Sequence, residues 1–302
     1  MTVASRFFSV IKEKTGALTT RHTGVLLLSP LLICYTVAFI APIVLLFITS
    51  FVVGRGYYQP GTSLTAEHYL HVFTDSFYQK VLLNTLAMGV YTTCLTLLLG
   101  YPLAYHHARA SSKTKGLLTI LVISPMFVSL VVRGYAWSIM LSDHGVINNT
   151  LMWLGIIDEP IRLLNTMKAV VVGMVNVMLP FMVLPISSAV ESINPHIEES
   201  AYVLGAGKLY TFFKVTFPLS LPGVIAGTVM TFAITVSSFV MPALLGGPGF
   251  QVFGTIIYNR ILLISNWPVG AAMAFILVSI VVLVMYFQER LLSVITKRRR
   301  LK

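Results

Sequence analysis

The residues best placed to do chemistry lie together in one segment. It runs Glu198-Glu199-Ser200-Ala201-Tyr202-Val203-Leu204-Gly205-Ala206-Gly207-Lys208, then on to Phe217-Pro218-Leu219-Ser220-Leu221-Pro222. This segment is a polar, amphipathic interruption between two long apolar runs. Gly205-Ala206-Gly207-Lys208 has the look of a phosphate-binding loop, but the pattern fails on both sides: Tyr202 stands at the first glycine position, and Leu209 replaces the hydroxyl that would bind magnesium. ATP hydrolysis by this chain is therefore not expected. The seven histidines (His22, His68, His71, His106, His107, His144, His196) form no metal-spaced set within an apolar run. No nucleophile–base pairing stands out, so an enzyme is not expected, and the chain calls for no metal or cofactor of its own.

The elements that must position this segment follow from composition. Of 302 residues, 56% are hydrophobic and 10% charged, against about 25% charged in soluble domains. Charge is absent between Arg21 and Arg55, Lys80 and Arg109, Lys115 and Arg133, Lys168 and Glu191, Lys214 and Arg260, and Arg260 and Glu289. A helix crosses a bilayer core with about 20 apolar residues. The gaps predict an all-α membrane protein with six transmembrane helices, near 24–53, 83–107, 116–141, 168–190, 219–245 and 269–291. β-Barrel strands are excluded, because the runs are too long and do not alternate. The expected division is a tail over 1–23, a six-helix domain over 24–293 containing the 191–218 loop, and a basic tail over 294–302.

Fifteen of the 21 Lys and Arg residues fall on one side of this arrangement: in the N-terminal tail, at 109–115, at Lys208 and Lys214, and at the C-terminal end. The positive-inside bias places both termini and the 191–218 loop of this multi-pass protein in the cytoplasm. The net charge of +11 reads as topology charge, with Lys297-Arg298-Arg299-Arg300 meeting anionic lipid headgroups; nucleic acid is not an expected partner. Cys34 and Cys94 both fall inside spans and make no disulfide framework. The first apolar run exceeds the ~7–15 residues of a signal peptide's apolar region and reads as a span that stays in place.

Ionisable groups within the spans are scarce. Arg133 is the exception: counted from Gly116 at about 1.5 Å per residue along an unbroken helix, it stands roughly 26 Å up, near the outer headgroups. Snorkelling and a pathway role are both open to it. An ion-coupled transporter would ordinarily carry intramembrane carboxylates, so the work is expected to enter from outside the chain. The 191–218 loop is the candidate entry. Asn194 is a good N-cap, Pro195 suits the first helical position, and Glu198 and Glu199 lie near the positive end of the helix dipole. Ile197, Ala201 and Leu204 recur at helical spacing, and Gly205 or Gly207 suits a left-handed C-terminal position. A second short helix is expected from Lys208 to Phe217. A helix lying passively on the bilayer is the alternative to a docking helix.

Glu199-Ser200-Ala201, three residues, Gly205, nine residues and Val215-Thr216-Phe217-Pro218 resemble the "EAA loop" of permease subunits in binding-protein-dependent ABC importers. The departures are Ser200 for alanine, Val215 for isoleucine and Phe217 for leucine. Within that family the likeness is strongest to permeases of the spermidine/putrescine type, carried by 99–105, 153–158, 179–185 and 266–272. It implies the type I ABC importer permease fold, with Glu198, Glu199, Ser200, Ala201, Gly205, Ala206, Gly207, Val215 and Pro218 forming a cytoplasmic coupling loop.

The partners it implies are two copies of a cytoplasmic ATPase holding ATP and magnesium, a second permease subunit in a heterodimer, and a periplasmic solute-binding protein meeting loops near 54–80, 142–165 and 246–268. A polyamine is the implied cargo, with opines, amino-acid-like compounds, thiamine or iron as alternatives. Arg133, Tyr135, Trp137, Asn176, Ser237, Ser238 and Phe239 are the candidates for the translocation path. The aromatic ones would meet a cation through their ring faces. Simple helix packing is the competing account of each. A secondary transporter or channel, and a scaffolding protein, remain as other classes.

Overall fold

Proline, glycine and polar caps decide where the apolar runs of this chain start, bend and stop. The computed structural model describes residues 28–299; the N-terminal tail, the first residues of the expected first span and the last three residues of the basic tail lie outside the described residues. Helix α1 (Leu28–Thr49) is followed by a loop, the short α2 (Glu67–Thr74) and the long α3 (Ser76–Arg109). Then come α4 (Ser112–Ile123), α5 (Leu130–Leu141), α6 (Val146–Trp153) and α7 (Met167–Glu191). The remainder are α8 (Pro195–Val203), α9 (Lys208–Ser237), α10 (Phe253–Leu263) and α11 (Trp267–Arg299). Among the described residues the sole extended pairing is an isolated bridge between Val52 and Leu64.

Helices α1, α3, α7, α9 and α11 are each long and apolar enough to span a bilayer, and the bent pair Ser112–Phe127 and Leu130–Trp153 is so only when its two pieces are taken together. Asp75 starts α3 by accepting the Phe77 N–H at 2.8 Å, and Thr166 starts α7 by accepting the Ala169 N–H at 3.4 Å. The 34 residues of α3 reach about 50 Å, longer than a ~30 Å hydrocarbon core, and its basic last turn at His106–Arg109 packs against its neighbours, with His107 buried. Helices α3, α7 and α9 pack on one another as the centre of the fold. Met88, Met174, Met178, Met182, Met241 and Met273 are fully buried there and along the α10–α11 side; flexible thioethers fill the irregular gaps between helices.

Three expectations change. The third span is broken: the segments Ser112–Phe127 and Leu130–Trp153 meet at 97°. The 3-10 turn Ser124–Phe127 carries Pro125, and Val128 is extended, so the helical ladder stops there. The height counted for Arg133 along an unbroken helix therefore does not hold. Second, Lys208–Phe217 is no separate helix. Pro218 cannot donate to the Lys214 carbonyl, and the chain answers with a π turn over Phe212–Thr216, where the Phe217 N–H reaches the Phe212 carbonyl. The helix then continues to Ser237. The same repair precedes Pro42, with the Ala41 N–H bonded to the Thr36 carbonyl.

Third, the stretch 246–268 is not a plain external loop. Helix α9 ends at Ser238, whose backbone is extended (ψ 140°). The chain re-enters through a π turn at Pro242–Gly246, and α10 follows with Val252 and Phe253 completely buried. The Phe253 N–H donates to Thr85 Oγ1 at 2.8 Å and the Asn84 amide to the Gln251 carbonyl at 3.2 Å, so α3 supplies the partners that this irregular backbone needs inside a membrane protein.

The α7–α9 seam rests on Gly223, where an added Cβ would come within 2.5 Å of both Ala189 Cβ and the Pro185 carbonyl oxygen. Gly223→Ala is expected to destabilise the protein by about 1–3 kcal/mol, read as a lower thermal unfolding midpoint in detergent. Gly116→Ala, which meets nothing within 4 Å, is expected to leave that midpoint unchanged or raise it slightly.

Candidate functional site

Helix α8 stands at the basic end of the bundle, between α7 and α9. Asn194 caps it, its side-chain oxygen accepting the His196 N–H at 3.1 Å, and Pro195 takes the first helical position. The far end closes in a Schellman turn: the Ala206 N–H bonds to the Ala201 carbonyl at 3.0 Å and the Gly205 N–H to the Tyr202 carbonyl at 2.9 Å. Gly205 has φ +85°, a left-handed conformation that favours glycine. Gly207 then accepts the Thr211 N–H and opens α9.

The two faces of α8 differ sharply. Outward lie Glu199, Ser200, Val203 and Leu204, which with His196 line a shallow depression. Val203 and Leu204 are each 87% exposed, and Leu209, Tyr210 and Phe213 extend the exposed apolar surface onto α9. Glu199 is held by His196 Nδ1 at 2.8 Å, in solvent. Glu198 turns the other way and is buried. Its Oε1 accepts from Arg109 Nη2 at 3.1 Å and from the Thr216 hydroxyl at 2.8 Å. Ala201 and Ala206 are half-buried, as are Val215, within the π turn, and Pro218 just beyond it.

The path candidates fall into separate places. Ser237, Ser238 and Phe239 line one cleft together with Leu130, where the end of α9 faces the break in the third span. Phe239 also borders a larger cleft of about 630 Å³, shared with Gln251, Thr255, Tyr258 and Asn259 of the re-entrant segment and α10. The Phe239 and Tyr258 rings stack there, with centroids 5.1 Å apart and planes 14° apart. Trp137 and Asn176 share a third cleft with Leu95 and Leu99 of α3. Tyr135 is 58% exposed and borders none of these clefts. Arg133 buries Nε and Nη1, neither of which has a hydrogen-bond partner among the described residues.

Several residues now at these sites escape a reading of the chain alone. Gln251, Thr255, Tyr258 and Asn259 belong to a stretch whose glycines and prolines read as loop, and nothing in its spacing announces a return into the bundle. Arg109 reads as one more topology charge, and Thr216 as a neutral position between Val215 and Phe217. Among the described residues no group of His, Cys, Asp and Glu is placed to hold a metal ion.

Comparison with known proteins bears on the family and the fold. The spermidine/putrescine transport system permease protein PotB of Escherichia coli K12 is 38% identical over 232 residues, covering 76% of this chain and 84% of that protein. The protein of the same name from Haemophilus influenzae is 34% identical over 255 residues, covering 83% and 89%. The fold is shared with a chain of a bacterial ABC transporter involved in import of the acidic polysaccharide alginate. There the TM-score is 0.71 with 22% identity, over 96% of this chain and 99% of that one. The family described as binding-protein-dependent transport system inner membrane component matches residues 15–296, more than nine-tenths of the chain, and the protein belongs to that family.

Proposed function

We propose that the chain forms one half of the membrane path of an ATP-driven importer and that α8 is its docking helix for a separate cytoplasmic ATPase. The observation that carries this reading is the outward face of α8. Two apolar side chains at 87% exposure sit at the tip of a helix that is capped at both ends and anchored from behind. Small Ser200 beside them leaves room for a partner's surface. A helix adsorbed on lipid would need basic residues along its polar face, whereas this one presents Glu199. On this reading the 191–218 loop and both termini are cytoplasmic. Two ATPase copies hold ATP and magnesium, a second, different permease subunit completes the path, and a periplasmic binding protein delivers the solute. Closure of the ATPases would rock the docking helices and open the path to each side in turn.

The proposed cargo is a polyamine such as putrescine or spermidine, supported by the names of the relatives. The stacked Phe239–Tyr258 pair supports it further, since ring faces attract ammonium groups by about 0.5–2 kcal/mol each. A second reading, another small solute such as an amino-acid-like compound, is favoured by the lining of the three clefts, which contains no carboxylate to neutralise a polycation. Titration of the secreted binding protein with spermidine, putrescine and amino acids decides between them.

Two outcomes test the machine itself. Glu199→Lys and Gly205→Asp, the latter forcing a side chain into a left-handed turn, are expected to abolish ATP-dependent uptake and ATPase copurification while membrane insertion stays normal. Intact uptake in both variants would remove the docking role, and uptake by this chain alone in liposomes would make it a channel or secondary transporter. For the cleft, Phe239→Ala and Tyr258→Ala are each expected to lower uptake efficiency by about two- to thirtyfold, the equivalent of one ring–cation contact. Unchanged initial-rate uptake of labelled polyamine would take that pair off the path.

A further inference from the structure

The adjacent glutamates of α8 face opposite ways, and the inward one is wired to the rest of the molecule. The Glu198 side chain is 9% exposed, against 65% for Glu199. Besides Arg109 and Thr216, it has the Tyr105 hydroxyl at 3.5 Å from Oε2. Arg109 uses its other terminal nitrogen, Nη1, to donate to the Ile193 carbonyl at 3.2 Å, just ahead of α8. One carboxylate and one guanidinium therefore join the docking helix to the last turn of α3 and to the π turn at the start of α9.

That last turn of α3 is itself fastened on its other side. His107, buried, lies between the Ser187 hydroxyl at 2.6 Å from Nδ1 and the Thr119 hydroxyl at 2.8 Å from Nε2. Glu191, at the end of α7, accepts from Ser187 at 3.1 Å and pairs with Lys115 of α4 at 2.9 Å. Helices α3, α7 and α9 also contribute to the clefts, through Leu95, Asn176 and Ser237. Short connectors, 192–194 and 204–207, hold α8 to its neighbours along the chain. Sliding α8 alone would pull a buried carboxylate from its guanidinium and leave each charge without its partner, which low-dielectric surroundings penalise heavily.

We propose that Glu198 and Arg109 are a positioning couple that makes α8 and α3 move as one body, so that displacement of the docking helix reaches the cleft-lining helices through this pair. Glu199 and the exposed tip meet the partner, and Glu198 passes the motion inward. The proposal rests on the reading of α8 as an ATPase-docking helix.

The test uses the complete complex, with its ATPase and binding protein, reconstituted in liposomes. The readout is the number of ATP molecules hydrolysed per solute transported, a ratio that a loss of folded protein leaves unchanged. Glu198→Gln, which keeps the shape and removes the charge, and Arg109→Lys, which keeps the charge and removes the fork, are each expected to raise the ratio by about two- to thirtyfold. ATPase copurification should stay at the wild-type level. Gly223→Ala, which disturbs the α7–α9 seam without touching the pair, should lower stability and leave the ratio alone. The proposal is overturned if the ratio is unchanged in both charge-pair variants or rises equally in Gly223→Ala. Should Glu198→Gln fail to assemble, Thr216→Val and Tyr105→Phe each remove one neutral hydrogen bond from the same carboxylate. A raised ratio in either supports the couple, and a normal ratio in both overturns it. An ATPase that never copurifies with the unaltered chain would defeat the docking reading instead.

Discussion

A backbone inside a bilayer must find a partner for every N–H and C=O within the protein itself, and the rest of this structure depends on how the chain meets that demand at its interruptions. Where proline removes a donor, the helix shifts register into a π turn and carries on, as ahead of Pro42 and Pro218. Where the chain leaves the helix altogether, a neighbour supplies the bond, as α3 does for Phe253 and Gln251. These departures from regular helix coincide with the places that matter. The π turn before Pro218 sets Thr216 against Glu198, and the break at Ser238 opens the cleft beside Phe239.

The same constraint explains the division of labour at the basic end. A charge held away from water is retained where it is paired and hydrogen-bonded, and Glu198 meets that condition through Arg109 and Thr216. Glu199, one residue on, faces solvent with His196. A helix rotates about 100° per residue, so neighbouring carboxylates can serve two sides of one short element. One side belongs to the protein's interior and the other to whatever meets its surface.

Much of the architecture was legible in the order of residues. Charge-free runs mark the crossings, Asn194 and Pro195 mark the start of α8, and Gly205 marks its end, because apolarity, capping and left-handed backbone are local properties that each residue carries with it. The broken third span was less legible. Pro125 stands in an apolar run, but proline in a membrane helix is compatible with either a mild kink or a full break. The path candidates were legible as residue types and not as a set: Ser237, Ser238 and Phe239 come together, while Trp137 and Asn176 form a different group.

By itself the sequence determined a helical membrane protein, the places of its long apolar runs and a short capped helix at the basic end, since these follow from hydropathy and near-neighbour hydrogen bonding. The tertiary structure decided the rest. It set which of two adjacent glutamates is buried, paired Glu198 with an arginine 89 positions away, and folded residues 246–263 back against α3 through contacts 167 and 168 positions apart. Such pairings depend on where distant segments lie in space, and the chemistry of one residue does not encode the position of another until the helices have packed.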